Sequence, residues 1–355
     1  MSHRLLPEWA PQEAIILAWP DAQTDWAPWL DNVRQTYCQL ITAINQVGCG
    51  VLLLVRADEV ANAQAVLQAN VSEEDNSQVL LVVADYNDTW VRDYGFLTCR
   101  TEQGMQLIEF QFNGWGNKFN ASKDNQINST VLADLCQFPM QSYQQFVEGG
   151  ALEIDGAGHL LSTALCLQNP ERNGDFSLAE YQQLFTDALG ASRVSIFHEG
   201  HLEGDDTDGH IDTLVRFTPN NGLVIQACEN RPDDSHYAGL HALVEECRQV
   251  FPEHQLFLLP LPSIFNDDGE RLPASYANYL INNQQVLCPI YQQPEDQQAL
   301  EILAKAYPQH HIVAIDGLPL VQQFGSVHCI SMQVPVGTLK ANVIQQLQQG
   351  VSVYA

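Results

Sequence analysis

An α/β ring of strand–strand–helix–strand units is the fold this sequence predicts, and three observations carry it. Turn dipeptides recur between alternating apolar runs. Several of these hairpins lead into a helical stretch and then a short apolar strand. Equivalent turns are spaced by roughly 50 to 65 residues, the length of one compact unit. A ring of such units buries its own sheet edges and leaves a central mouth where loops from every unit converge. No Pro/Gly/Ser-rich linker or low-complexity block interrupts the chain, so residues 1–355 read as one closed domain rather than an open sheet or two domains.

Taken in order, Ala14–Trp19 is an apolar run near the start, Ala57–Gln68 has helical periodicity and Gln78–Ala84 is a strand. Gln103-Gly104 separates Gly95–Cys99 from Met105–Phe112. Asp155-Gly156 lies between Ala151–Ile154 and Leu160–Thr163, the strongest hairpin signal in the chain. The helix predicted next, Ser177–Leu189, opens on Ser177 and Glu180 as a capping box and is followed by the strand Arg193–Phe197. Asn221-Gly222 joins Ile211–Phe217 to Leu223–Ala227, with a helix over Ser235–Val250 and a strand over Gln255–Leu261. Asn282-Asn283 joins Tyr276–Ile281 to Val286–Ile290, followed by Glu295–Tyr307 and His311–Ile315. A fifth hairpin, pairing Ala14–Trp19 with Val327–Val334, would close the ring.

Composition bounds the function. Hydrophobic residues at 45% and charged residues at 16% describe a globular chain with a sizeable core, and no apolar run reaches the roughly 18–20 residues of a membrane helix. The opening Met1–Glu8 has no secretory pattern. Nine cysteines, an odd number without Cys-x-x-Cys spacing, read as free thiols in the reducing cytoplasm. With 15 basic against 43 acidic residues, the net charge of −28 opposes binding to nucleic acid or anionic membrane and favours small cations, besides serving solubility.

Four segments carry chemistry. Glu203–Asp212 is an acidic loop running into a predicted strand, where His210 and Asp212 at i and i+2 would face one way and the carboxylate would raise and orient the imidazole. Read alone, the loop is also a solvated turn. An EF-hand lacks its terminal Glu, since position 215 is Val, and metal ligation by His198, His201 and His210 lacks a helical spacing. Asn87–Gly95 follows a strand and offers Asp93 to a cation and Trp90 as a stacking face, although Trp90 as core and Arg92 paired with an acid fit equally. In Phe146–Gly150, Glu148 precedes two glycines that mark a close backbone approach. Cys329 stands at the start of a predicted terminal strand; His328 would face the other way, leaving His210 as the partner.

In this order, the segments Trp19-Pro20, Asn87–Asp93, Phe112–Gly116, Glu148–Gly150, Asp155–Gly158, Cys166–Pro170, Asp206–Asp212, Leu272–Asn278 and His328-Cys329 resemble the agmatine deiminase/peptidylarginine deiminase family of the guanidino-group-modifying (pentein) superfamily. The resemblance covers nearly the whole chain. It implies a fivefold pseudosymmetric β/α-propeller and a hydrolase with Cys329 as nucleophile and His210 as general acid–base. It further implies Asp93 and Asp212 as carboxylates gripping the guanidinium, with Glu148 as another acidic site residue. The expected reaction converts agmatine to N-carbamoylputrescine and ammonia, in polyamine metabolism, through a covalent thiouronium and without metal or organic cofactor. The expected partner is a small cationic guanidine, with a homo-oligomer left open.

The chain departs from the family pattern at Phe324–Val327, where a glycine run is usual, and at Tyr94–Phe96, so the pocket around the substrate tail is open to change. Deimination of peptidylarginine or another small guanidine is the alternative within the class. A His/Asp metal hydrolase would not need Cys329, and a non-catalytic binder of cationic amines would tolerate its loss. Cys329 and His210 standing together with the acids favour the enzyme.

Overall fold

The computed structural model describes residues 3–71 and 78–354; Met1 and Ser2 of the opening segment read above, residues 72–77 and Ala355 lie outside. Among the described residues the strands form five separate sheets. Four repeat one plan: an antiparallel pair, a helical connection, and a third strand parallel to the second.

Leu97–Thr101 pairs with Gly104–Gln111 across the Gln103-Gly104 turn, Met140–Phe146 adds in parallel, and His3–Leu5 covers the outer edge. Glu153–Ile154, His159–Thr163 and Arg193–Phe197 form the next sheet, connected through helix Leu178–Leu189. The capping box is present: Ser177 accepts from the Glu180 amide while the Glu180 carboxylate accepts from that of Ser177. Val215–Thr218, Gly222–Gln226 and Gln255–Leu259 follow, with helix Tyr237–Val250; then Leu280–Asn282, Gln285–Ile290 and His311–Asp316, with helix Asp296–Ala306.

The fifth sheet closes the ring from both ends of the chain. Met332–Pro335 runs antiparallel to Gln12–Ala18 with Met332 opposite Ile16, as the pairing of the terminal apolar runs predicts. Gly50–Val55 and Val79–Val83 extend the sheet in parallel, separated by Val60–Asn70. Helix Leu30–Gln46, not singled out in the sequence, joins its first two parallel strands.

Helix packing makes the closure continuous. Leu30–Gln46 lies on His311–Asp316, Asp296–Ala306 on Gln255–Leu259, Tyr237–Val250 on Arg193–Phe197, and Leu178–Leu189 on His3–Leu5, so each helix bridges to the unit beside it. The strands expected over Ala151–Ile154 and Gly95–Cys99 each begin two residues late, at Glu153 and Leu97, and three further predicted elements differ more. Ile211–Thr213 is a short 3-10 turn, with the strand starting at Val215. The strand expected over Tyr276–Ile281 begins at Leu280. Val327–Ile330 is a turn rather than the start of a strand. The first and third of these runs border one cavity, and the second meets Cys329 beside it through Asn278. Their apolar residues are buried because loops converge there, which an alternating pattern cannot distinguish from strand burial.

Candidate active site

The loops at the centre of the ring surround a narrow cavity of about 70 Å³, space for roughly five waters. Cys329, His210, Asp93 and Asp212 all line it. His210 apart, each acid or base on its wall is a carboxylate or the Cys329 thiol, the further carboxylates being Asp25, Asp88, Asp205 and Asp206.

Asp93 sits in the helical turn Val91–Tyr94. Its Oδ1 accepts from the Gly150 amide at 2.9 Å and its Oδ2 from Trp115 Nε1 at 2.9 Å. Burial, with no cation at ion-pairing distance except His210, raises its carboxyl above the ordinary value. The two glycines after Glu148 are required here. A Cβ on Gly150 would stand 2.6 Å from His210 Nδ1 and 2.8 Å from Asp93 Oδ1, and one on Gly149 would stand 2.1 Å from the Arg92 carbonyl. Trp115 arrives through an unusual turn in which Gly114, Trp115, Gly116 and Asn117 all have left-handed φ, held by Asn113 accepting from the Gly116 amide.

Asp212 is held differently. Its Oδ2 accepts from His328 Nδ1 at 2.7 Å and from Asn278 Nδ2 at 3.2 Å, while Oδ1 is buried with no hydrogen-bond partner among the described residues. Burial opposes ionisation, but the His328 hydrogen bond and charge, helped by His210 and Arg216, hold Asp212 below the ordinary carboxylate value. The imidazole hydrogen-bonded to Asp212 is therefore His328, and not His210 as the sequence leads one to expect. Because residues 211–213 turn rather than extend, the i, i+2 relation does not place Asp212 beside the His210 ring.

His210 has Asp93 Oδ1 at 3.7 Å from Nδ1 and Glu148 Oε2 at 3.9 Å from Nε2, and Nε2 has no hydrogen-bond partner among the described residues. Burial would lower its pKa; the Asp93 carboxylate, Cys166 and Glu148 outweigh it and raise it well above the ordinary histidine value. The acidic loop before it is built from hydrogen bonds within the protein. Asp205 accepts from the Thr207 and Gly209 amides, and Asp208 pairs with Arg172 and Lys118.

Glu148 stands behind His210, off the cavity wall, with both oxygens accepting from Arg172 Nε at 2.8 and 3.0 Å. Glu148, Cys166 and His210 offer ligand-type atoms within 4.8 Å of one another, yet the Arg172 guanidinium already occupies the carboxylate.

Cys329 lies in the 327–330 turn with Sγ 3.3 Å from Asn278 Oδ1, which also receives its amide. Burial, Asp212 and Asp93 raise the thiol well above the ordinary cysteine value. Iodoacetamide should therefore label Cys329 slowly at pH 7 and progressively faster up to and beyond pH 9. A haloacetamidinium, bringing its own positive charge, should label it at pH 7 at least about tenfold faster, ten being the factor for one pKa unit. Peptide mass analysis of Cys329 gives both rates, and equal rates would remove the role of the two acids.

Trp90 is both core and wall: it packs on Trp26 at 5.4 Å and lines the cavity, so closely that a Cβ on Gly325 would stand 2.2 Å from its ring. Arg92 pairs with no acid among the described residues; it donates to the His328 carbonyl and to Gln333. Of the two departures from the family pattern, Tyr94 and Phe96 are buried away from the cavity, whereas Phe324 lines it with φ 64°.

Sequence reasoning assigned no role to Trp115, Asn278, Arg172 or His328. Trp115 and Asn278 lay within quoted motifs, the only signal available for them; Arg172 had none, and His328 was set aside for facing away from the cavity.

A family model for Porphyromonas-type peptidyl-arginine deiminase matches residues 4–335. Agmatine deiminase of Pseudomonas syringae pv. tomato is 29% identical over 360 residues, covering 92% of this chain and 94% of that protein. Among solved structures, a Porphyromonas gingivalis protein provisionally named an arginine deiminase is 35% identical, with TM-score 0.85, covering 95% of this chain and 100% of that one. C. jejuni agmatine deiminase, solved as a cysteine-to-serine variant with substrate bound, is 29% identical, with TM-score 0.86, covering 95% of this chain and 97% of that one.

Proposed function

This chain belongs to the Porphyromonas-type peptidyl-arginine deiminase family, hydrolases acting on guanidino C–N bonds, and from that premise we propose that it deiminates a small guanidine, agmatine first, to N-carbamoylputrescine and ammonia. One observation carries the reading: Asp93, the His210–Asp212 segment and Cys329, from three distant parts of the sequence, share a narrow cavity whose other titratable groups are all carboxylates.

Each group has a task that its environment suits. A guanidinium is flat and offers paired N–H donors, which Asp93 and Asp212 accept. Asp93, raised by burial despite His210 beside it, gains a second cation when substrate binds; Asp212 Oδ1 has no hydrogen-bond partner among the described residues and can accept. The substrate charge also lowers the cost of ionising Cys329, whose thiolate attacks the central carbon. Protonated His210 delivers its proton to the departing nitrogen as the C–N bond breaks, leaving a thiouronium on Cys329. The now neutral imidazole accepts a proton from water, whose oxygen adds to the same carbon; the C–S bond then breaks and releases the ureido product. Glu148 and Arg172 orient His210 through these proton transfers. That the C. jejuni relative was solved with substrate in a cysteine-to-serine variant supports this assignment.

The choice of agmatine rests on the wall. Asp88 and Asp206, pushed up by burial to about 6 and about 7, favour a second cationic group and oppose the α-carboxylate of free arginine. Trp90, Trp115, Phe119 and Phe324 suit an unbranched methylene chain. Nine free thiols, all buried, favour a cytoplasmic setting, and no helix among the described residues is long and apolar enough to cross a membrane.

Ammonia release should be measured with agmatine, free arginine, a blocked arginine peptide and methylated arginines. Agmatine is expected to exceed arginine by at least about 100-fold in kcat/KM, near 3 kcal/mol of discrimination. Preference for the blocked peptide would move the substrate assignment to peptidylarginine. Turnover of none, in reducing buffer, would overturn the reading.

A further inference from the structure

Behind the cavity wall lies a buried chain of charge that the reaction steps above do not use. His328 Nδ1 is 2.7 Å from Asp212 Oδ2, and its Nε2 is 2.7 Å from Glu8 Oε2. Each ring nitrogen thus faces a carboxylate oxygen, and Nε2 also lies 3.3 Å from Arg216 Nη2. Glu8 also accepts from Arg216 and from the Ile281 amide. Arg216 pairs in turn with Glu153 at 2.9 Å and stacks on Tyr279 at 4.6 Å. All these side chains are buried.

We propose that His328, backed by Glu8, is the positioning residue for the guanidinium grip: it ties down Asp212 Oδ2 and so fixes the carboxylate with Oδ1 left to accept from the substrate. The proposal rests on the reading of Asp212 as a guanidinium acceptor. Three features single out His328 over a generic buried ion pair. It engages one oxygen of Asp212, and the other has no hydrogen-bond partner among the described residues. It adjoins Cys329, and its own amide donates to Asn278 Oδ1, the atom that also meets Cys329 Sγ, so grip and nucleophile share one support. Its carbonyl accepts from Arg92 Nε, tying the 327–330 turn to the segment that carries Asp93. Glu8 reaches this support from the link between His3–Leu5 and Gln12–Ala18, so the N-terminal segment completes the site from outside.

The charges around Asp212 fix the direction of the pH effect. It faces His328 and Cys329 from the 327–330 turn, His210 from its own loop, Arg216 from Val215–Thr218, and Asp93 and Arg92 from Val91–Tyr94, with Glu8 behind His328 and Glu153 behind Arg216. Removing His328 takes away the hydrogen bond and the charge interaction that do most to hold Asp212 low, so Asp212 protonates at higher pH and the site loses its grip earlier on acidification.

The test uses the full chain and a haloacetamidinium, whose saturable alkylation of Cys329 separates binding (KI) from reaction (kinact) whatever the natural substrate. His328→Leu is expected to raise KI about 30- to 100-fold, to change kinact by less than about fivefold, and to move the acid limb of kinact/KI upward by at least one pH unit. His328→Asn, whose amide can still donate to Asp212, should recover most of the KI at neutral pH, and it serves if the leucine variant fails to fold. Unchanged KI and acid limb in either folded variant would overturn the proposal. Wild-type alkylation that never saturates would instead overturn the guanidine reading on which it rests.

Discussion

Cys329→Ser is expected to abolish ammonia release, by about 10⁴- to 10⁶-fold in kcat, while leaving the fold and guanidine binding intact. The magnitude is that of removing a nucleophile from a site whose other groups stay in place. The structure favours the large end. The serine oxygen would sit in the same acidic, buried turn that already raises the thiol, and a hydroxyl ionises far less readily than a thiol. Binding should survive because the grip lies in Asp93, held by Gly150 and Trp115, and Asp212, held by His328 and Asn278, while Cys329 Sγ meets Asp212 Oδ2 only at 4.0 Å. Kd for agmatine by calorimetry, beside turnover by ammonia release, checks both halves. Turnover within tenfold of wild type would remove Cys329 as nucleophile; lost binding would show that the thiol supports the grip.

The largest stability effect is expected at Arg216, which touches no cavity residue in the lining. Arg216→Met keeps much of the side-chain volume but leaves Glu8 and Glu153 buried without their shared partner, for a loss of about 3–5 kcal/mol. That corresponds to a fall in Tm of roughly 4–7 °C. The two carboxylates differ in the wild type. At Glu8 burial is outweighed by Arg216 and His328, and the carboxyl lies far below its ordinary value; at Glu153, with Arg216 as its principal cation, burial dominates and raises it. The Glu8 interactions therefore stabilise fully above the unfolded value, about 4.5, and fade as pH falls through the lowered folded value. Without Arg216 burial pushes both carboxyls upward, so stability is lost as pH rises through those raised values. The deficit of the variant should accordingly be larger at pH 8 than at pH 5 in urea unfolding. An equal deficit at both would mean that lost packing, not unpaired charge, sets the cost.

The positions of Phe324 and Tyr94 show how far the family pattern could be read. Both mark departures in sequence, yet only Phe324 reaches the cavity; Tyr94 spends its hydroxyl on the Asp88 carbonyl. Neither distinction is visible without knowing which way the chain turns.

What the sequence determined was the part of the fold that is local in the chain. Asp155-Gly156 and Asn221-Gly222 set tight turns between strands, and Ser177 with Glu180 started a helix, because each interaction spans only a few residues. The repeat of such units, with matching apolar runs at the two ends, was enough to predict the ring, and the ordered motifs singled out the cysteine, histidine and acids at its centre. What the tertiary structure alone decided was which of these groups meet. Asp212 takes a partner 116 residues away and Trp115 reaches Asp93 through four left-handed residues. Glu148 is held by Arg172, and Cys329 rests on Asn278. Those contacts depend on how five twisted sheets close on one another and on turns where a predicted strand begins four or five residues late. Spacing along a chain carries the period of a strand or helix, but it does not carry the direction in which a loop turns once the ring has closed.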